Sequence, residues 1–320
     1  MTRTALVFPG QGSQYVGMGK DLCEAYPVAR ETFDIANEIM GFDIAKLCFE
    51  GPEEELRQTR VTQPAIFTHS MAVFRVLKSL GIKFHGALGH SLGEYGALVA
   101  ADVISFEDGL RLVKARGEFM QSASVGDGPM AAIIGLDYDR VRELCSELEG
   151  DLVAEAAIQN GPGQVVVAGH PQAVARIAEL AQEAGARRAM ILNTSGPFHS
   201  SLMAESAGRF EEYLGDFTLC NANCVFIPNT TAEVTSDAST IRRNLVDQVS
   251  QTVLWEDSIN KAWSEGLDTF IEVGPGKVLF GLIRKIVKPA ALHAVGEASQ
   301  VEKLLADFPE AFSATAEMEA

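Results

Sequence analysis

At 320 residues, 47% hydrophobic and 22% charged, the chain can build one large globular domain or two smaller ones and is too apolar to be intrinsically disordered. Its 26 lysines and arginines against 43 aspartates and glutamates give a net charge of −17, with no basic run, which argues against nucleic acid as the main partner. No stretch of about 18 apolar residues is present, so no membrane span is expected.

In chain order, Ala5 to Phe8 reads as a first buried strand ended by Pro9-Gly10. Its apolar run is too short for a secretory signal. Cysteines stand at 23, 48, 145, 220 and 224; an odd count without a signal points to reduced thiols and a cytoplasmic protein. Cys220 and Cys224 form a C-x-x-x-C pair with no second pair or histidine close in sequence, so no metal site is expected. The glycine-rich Phe8–Gln14 loop fails as a dinucleotide fingerprint, because Tyr15 stands at the third glycine. It fails as a phosphate loop too, because Met18 replaces the lysine. What remains is a strand-to-helix turn able to offer a backbone N–H.

A helix is predicted from Gln63 to Leu80, where Ile66, Phe67, Val73, Phe74, Val76 and Leu77 recur at helical spacing. A short strand over Phe84–Leu88 then leads into Gly89-His90-Ser91-Leu92-Gly93, a G-x-S-x-G pattern followed by a helix-forming run to Ala101. Strand, glycine-flanked serine and helix is the context in which such a serine is a nucleophile. The helix N-terminus would aim free N–H groups at a developing oxyanion. Phe106–Ser122 is a further helix, with Ser105 as N-cap and Asp108 three positions on. It carries Arg116. Most arginines on such a helix face water, but a substrate carboxylate would give this one a role, since guanidinium grips carboxylate in a bidentate fork.

Between residues 127 and 195 the pattern changes. Strands over Met130–Ile134, Leu152–Ile158, Val165–Ala168 and Ala189–Leu192 alternate with helices over Asp139–Leu148 and Pro171–Ala184, with a turn at Asn160-Gly161-Pro162-Gly163. The order β-α-β-β-α-β is ferredoxin-like. This unit is read as an insert in a larger domain formed by 1–126 and 196–320, whose strand–helix alternation predicts an α/β fold with a largely parallel sheet. Ser313–Ala320 is small and acidic and is expected to fray.

A serine hydroxyl needs a base beside it. Of the six histidines, His69, His85 and His170 read as structural or exposed, and His90 is too near Ser91 on a tight turn to face it. His199 follows a Gly-Pro loop opening into a helix, where the N-terminus would disfavour imidazolium and keep a neutral base. His293 fits the α/β-hydrolase order of serine, acid and late histidine, with Asp268 or Glu272 as the acid. On the residues alone both stay open.

Several segments together resemble one family. Phe8-Pro9-Gly10-Gln11-Gly12-Ser13-Gln14, Gln63-Pro64-Ala65, Gly89-His90-Ser91-Leu92-Gly93-Glu94-Tyr95, Arg116-Gly117 with Met120-Gln121, Asn160-Gly161-Pro162, Gly196-Pro197-Phe198-His199-Ser200 and Glu272–Leu279 occur in this order. The ordered set resembles the discrete bacterial malonyl-CoA:acyl carrier protein transacylases of fatty-acid or polyketide synthesis. The resemblance implies an α/β-hydrolase-like core with a ferredoxin-like insert, and transfer of malonyl from malonyl-CoA to the phosphopantetheine thiol of acyl carrier protein through a malonyl-Ser91 ester. It implies Ser91 as nucleophile, His199 rather than His293 as base, and the Gln11 and Leu92 amides as oxyanion hole. It further implies Arg116 on the malonyl carboxylate, the Gln248 main-chain carbonyl orienting the histidine, and His90 and Asn160 lining the pocket. Phe198 would favour malonyl over α-methylated groups. No metal or redox cofactor is implied. Two positions depart from the family pattern: Gly96 stands where serine is usual, and Thr252 where proline is frequent. Two rival readings are a serine esterase using His293 and a non-catalytic assembly subunit that kept the fold. Arg187-Arg188, Lys277, Arg284-Lys285 and Lys288 are candidate contacts for an acidic carrier protein.

Overall fold

The computed structural model describes residues 2–312 apart from 124, 125, 127 and 149; the expected frayed tail, 313–320, lies outside the described residues. Numbered in chain order, the strands are β1 (Thr4–Phe8), β2 (Gly86–Gly89), β3 (Met130–Ile134), β4 (Ala154–Gly161), β5 (Gln164–Gly169), β6 (Arg188–Ile191), β7 (Val225–Phe226), β8 (Val253–Leu254), β9 (Thr269–Val273) and β10 (Ala291–Val295). They form two five-stranded sheets, ordered β10-β9-β1-β2-β7 and β6-β3-β5-β4-β8.

The first sheet is parallel throughout, and β1 is its centre. All five residues of β1 are buried, because helices cover both faces of a parallel sheet and each strand must be apolar on both sides. Leu6 and Phe8 point into a core that includes Phe33, Phe67 and Phe74. Ala5 and Val7 point into the opposite core with Trp255, Ile259 and Leu279. The α/β class with a parallel sheet is therefore as the sequence predicts.

The second sheet follows the ferredoxin-like order, with β3, β4, β5 and β6 paired antiparallel. Helices Tyr138–Ser146 and Pro171–Glu183 cover one face, and Val141, Leu144, Val174 and Ile177 pack on Ile133, Val165 and Val167. One feature was not expected: β8, from the far side of the insert in sequence, pairs in parallel with β4 through Ile158 and Val253.

Two boundaries differ from the periodicity. The helix expected to start at Gln63 begins at Thr59 and carries Pro64 inside it. Tertiary bonds hold that first turn, Thr62 Oγ1 donating to Leu56 O at 2.6 Å and Thr59 Oγ1 meeting Ser195 Oγ at 2.8 Å; they outweigh proline's preference for a helix start. The turn expected at 160–163 is shorter, since β4 runs through Asn160 and Gly161 with register shifts on the way. Such irregularities re-aim side chains at functional sites.

Candidate active site

Ser91 sits between β2 and the Gly93–Ala100 helix with φ 50°. This left-handed backbone is costly for a non-glycine residue and persists only where neighbours enforce it. The flanking glycines are obligatory for steric reasons. A Cβ on Gly89 would lie 1.9 Å from the Gly93 carbonyl carbon, and one on Gly93 would lie 1.9 Å from the Phe8 carbonyl oxygen. Asn229 staples the turn from outside. Its Oδ1 accepts from Ser91 N at 2.7 Å, and its Nδ2 donates to Gly89 O at 2.7 Å.

The structure brings Ser91 and His199 together, with Ser91 Oγ 2.8 Å from His199 Nε2. On the other side of the ring, Nδ1 lies 2.7 Å from Gln248 O. A carbonyl can only accept, so Nδ1 carries the proton and Nε2 is bare toward the hydroxyl. His199 is buried and also has a left-handed backbone, φ 62°. It does not stand at an α-helix N-terminus as expected; a short 3₁₀ turn, Ser201–Met203, intervenes before the Ala204–Leu214 helix. Burial and then the Arg116 charge push its pKa down to about 3, so the neutral base comes from desolvation and a nearby cation rather than a helix dipole.

Arg116 is wholly buried. Its Nη1 donates to Gln63 Oε1 at 2.7 Å, and its Nη2 to Gln248 Oε1 at 2.9 Å and Ser91 Oγ at 3.1 Å. The guanidinium also lies over the Tyr95 ring, 5.7 Å from its centroid. His90 Nε2 meets Asn160 Oδ1 at 2.8 Å, and its ring packs edge-on against Trp255. A cavity of about 260 Å³ opens onto Ser91, with Gln11, His90, Asn160, Phe198 and His199 in its wall. Gly196 makes room for Phe198, whose ring would lie 2.8 Å from a Cβ there. Among the described residues neither the Gln11 nor the Leu92 amide donates a hydrogen bond. Gln11 and Leu92 line the same cavity as Ser91.

The other histidines are elsewhere. His293 lies in β10 opposite Ile271 and stacks on Phe308 at 5.4 Å. Its proposed acids are also occupied: Asp268 accepts from Arg3 N, and Glu272 from the Leu279 and Phe280 amides, closing the N-terminus of the Val278–Ile286 helix. Among the described residues Ser91 is paired with His199 and not with His293, so the structure does not favour esterase chemistry through His293. His85 and His170 accept backbone N–H bonds from Thr4 and Val153.

Three residues that sequence reasoning passed over join the site. Gln63 holds Arg116; Glu94 and Asn229 bond to each other and to Gln248. Glu94 is three residues past Ser91, inside the quoted motif, but a carboxylate on a helix gives no sign of facing inward. Asn229 is 138 residues away from Ser91 and carries no local signal.

A hydroxyl bonded to a neutral, oriented imidazole is an arrangement suited to serine acyl transfer. Comparison with known proteins agrees. The acyl transferase domain model matches residues 5–316. The malonyl CoA-acyl carrier protein transacylase of Bacillus subtilis (strain 168) is 44% identical over 305 residues, covering 94% of this chain and 96% of that protein. A crystal structure of an acyl-carrier-protein S-malonyltransferase from Burkholderia pseudomallei 1710b superposes with a TM-score of 0.91 at 40% identity, covering 95% of this chain and 100% of that one. A malonyl-transacylase solved in complex with a type II polyketide synthase acyl-carrier protein gives a TM-score of 0.92 at 38% identity, covering 96% and 100%. The chain belongs to the acyl transferase family and, within it, to the malonyl-CoA:acyl carrier protein transacylases.

Proposed function

We infer that this chain transfers malonyl from malonyl-CoA to the phosphopantetheine thiol of acyl carrier protein, with Ser91 carrying the group between them. The observation that carries this reading is the Ser91–His199–Gln248 relay set beside a buried arginine. His199 Nε2 takes the hydroxyl proton as Oγ attacks the thioester carbonyl, and the Gln248 carbonyl steadies the imidazolium through Nδ1–H. The Gln11 and Leu92 amides receive the oxyanion; one such donor is worth about 3 kcal/mol. As the tetrahedral intermediate collapses, the C–S bond breaks, the proton goes to the departing CoA sulfur, and a malonyl ester remains. The carrier thiol then gives its proton to His199, attacks the ester, and regenerates the Ser91 hydroxyl.

Arg116 supplies the selectivity. Esterification turns Oγ into a poor acceptor, which frees Nη2 for the distal carboxylate. That carboxylate also offsets the positive charge that depresses the His199 pKa, so a diacid substrate raises the basicity of the base that attacks with it. An acyl group without the carboxylate leaves the guanidinium charge unpaired. The chemistry is nucleophilic and acid–base throughout and calls on no resident cofactor.

The direction of approach follows from charge. A groove of about 920 Å³ also borders His199, but Asp137, Asp139, Glu155, Glu256 and Asp257 line it against a single cation, Arg142, and that excess of acids repels CoA phosphates. The smaller cavity is flanked by the Val278–Ile286 helix and by Gln164, whose Oε1 accepts from Lys285 Nζ at 3.4 Å. We place substrate approach on that side. Steady-state transfer to holo carrier protein tests the scheme: an acyl-enzyme predicts parallel double-reciprocal lines, and intersecting lines contradict it.

A further inference from the structure

We propose that Glu94 is a positioning residue for malonyl transfer: through Gln248 and Asn229 it fixes how the site presents Arg116 and holds the main chain of Ser91. The inference rests on the transfer reading above and assigns a buried carboxyl that the reaction scheme leaves unused.

Glu94 is wholly buried on the first turn of the helix that follows Ser91. Its Oε2 accepts from Gln248 Nε2 at 2.7 Å and from Asn229 N at 3.0 Å. Gln248 Nε2 also donates to Ser91 O at 3.0 Å, while Gln248 Oε1 accepts from Arg116 Nη2 at 2.9 Å. The side-chain amide of Gln248 is thus clamped between an anion at its nitrogen and a cation at its oxygen. Rotating it by half a turn would face N–H against guanidinium N–H and carbonyl oxygen against carboxylate, two repulsive contacts in a dry site. The carboxylate is what makes one orientation unique. The same residue's main-chain carbonyl accepts from His199 Nδ1–H, so the base and the arginine meet at one glutamine, whose side-chain amide Glu94 orients. Asn229, anchored to the same oxygen, holds both ends of the strained serine turn.

The side-chain amide that Glu94 clamps touches Arg116, whereas the carbonyl that holds His199 belongs to the Ala238–Ser250 helix backbone, so Glu94 serves recognition of the distal carboxylate more than activation of the hydroxyl. Burial raises the Glu94 carboxyl to about 7 against the Asn229 and Gln248 hydrogen bonds and the Arg116 charge, and Tyr95 is the other titratable group that feels its charge. The His199 imidazole titrates far below, at about 3. Protonating Glu94 removes its charge, so Ser91 malonylation should rise with pH through about 7 for a reason other than the histidine.

The test is rapid-quench malonylation and acetylation of wild-type protein and Glu94→Gln, which keeps size and one acceptor oxygen. Folding is checked by circular dichroism. The expected result is malonyl loading slowed at least about tenfold, a narrowed malonyl-to-acetyl ratio, and loss of the rise through pH 7. That rise should persist in Glu272→Gln, the other carboxyl raised to about 7. Loading at the wild-type rate and ratio overturns the proposal, and so does an equal loss of malonyl and acetyl loading. If Glu94→Gln does not fold, Glu94→Asp, which keeps the charge and shortens the reach to Gln248, takes its place: a narrowed malonyl-to-acetyl ratio supports the assignment, and loading at the wild-type rate and ratio overturns it. Wild-type protein that fails to take malonyl at all marks the failure of the transfer reading itself and removes this inference with it.

Discussion

Ser91 and His199 share an unusual property: each is a non-glycine residue held at positive φ, 50° and 62°. Strain of this kind costs on the order of 1–3 kcal/mol per residue and survives where surrounding contacts over-determine the backbone. Here Asn229, Gln248 and the close-packed glycines supply those contacts. Ser91 was legible because its motif carries its own steric signature. His199 was one of two histidines that the residues alone left open; the family resemblance favours it, and its position 2.8 Å from Ser91 Oγ separates it from His293. Arg116 was visible as a residue but not as a buried one. Removing it leaves Gln63 and Gln248 without their cation and, in the proposed reaction, the distal carboxylate without a partner. Arg116→Ala should lower malonyl loading by about 100-fold or more while acetyl loading gains relative to it; competition between the two thioesters reads the ratio, and an unchanged ratio contradicts the assignment.

At the scale of elements, the helix Phe106–Ser122 formed with the expected limits because its N-cap is local: Ser105 Oγ accepts from Asp108 N at 3.0 Å. The central strand β1 was legible because burial on both faces leaves a continuous apolar run. The helix start at Thr59, the passage of β4 through Asn160 and the addition of β8 were not legible, since each is decided by partners distant in sequence. The Thr59–Ser79 helix also buries His69 completely, beneath Gly19 and Gly296. Burial lowers its pKa to about 4. Between about 6.5 and 4 the unfolded chain therefore holds a proton at this position that the folded chain does not, and stability falls as pH drops through that window. His69→Gln should make the fall shallower by up to about 1.4 kcal/mol per pH unit. Urea unfolding at a series of pH values measures it, and parallel stability curves for the two proteins would contradict it.

Across the whole molecule, two sheets meet at the site. The parallel sheet supplies Ser91 at the end of β2, the second sheet supplies Asn160 from β4, and β8 extends that second sheet beside β4. The net charge of −17 makes the distribution of cations informative. Arg187, Arg188, Lys277, Arg284, Lys285 and Lys288 are all exposed, and the Lys285 bond to Gln164 places part of this set at the cavity wall. For an acidic carrier protein such a face steers encounter more than it adds contact energy. Charge reversal at Arg188 and Lys285 together should raise the KM for carrier protein more than that for malonyl-CoA, and the difference should shrink at high salt; equal effects on both substrates would contradict the docking face. The ester at Ser91 is read by intact-protein mass spectrometry after exposure to malonyl-CoA. One added malonyl group is expected on wild-type protein and on His293→Ala, and none on Ser91→Ala or, at short times, on His199→Ala; a malonyl adduct that survives loss of Ser91, or that needs His293, would rule the ester out.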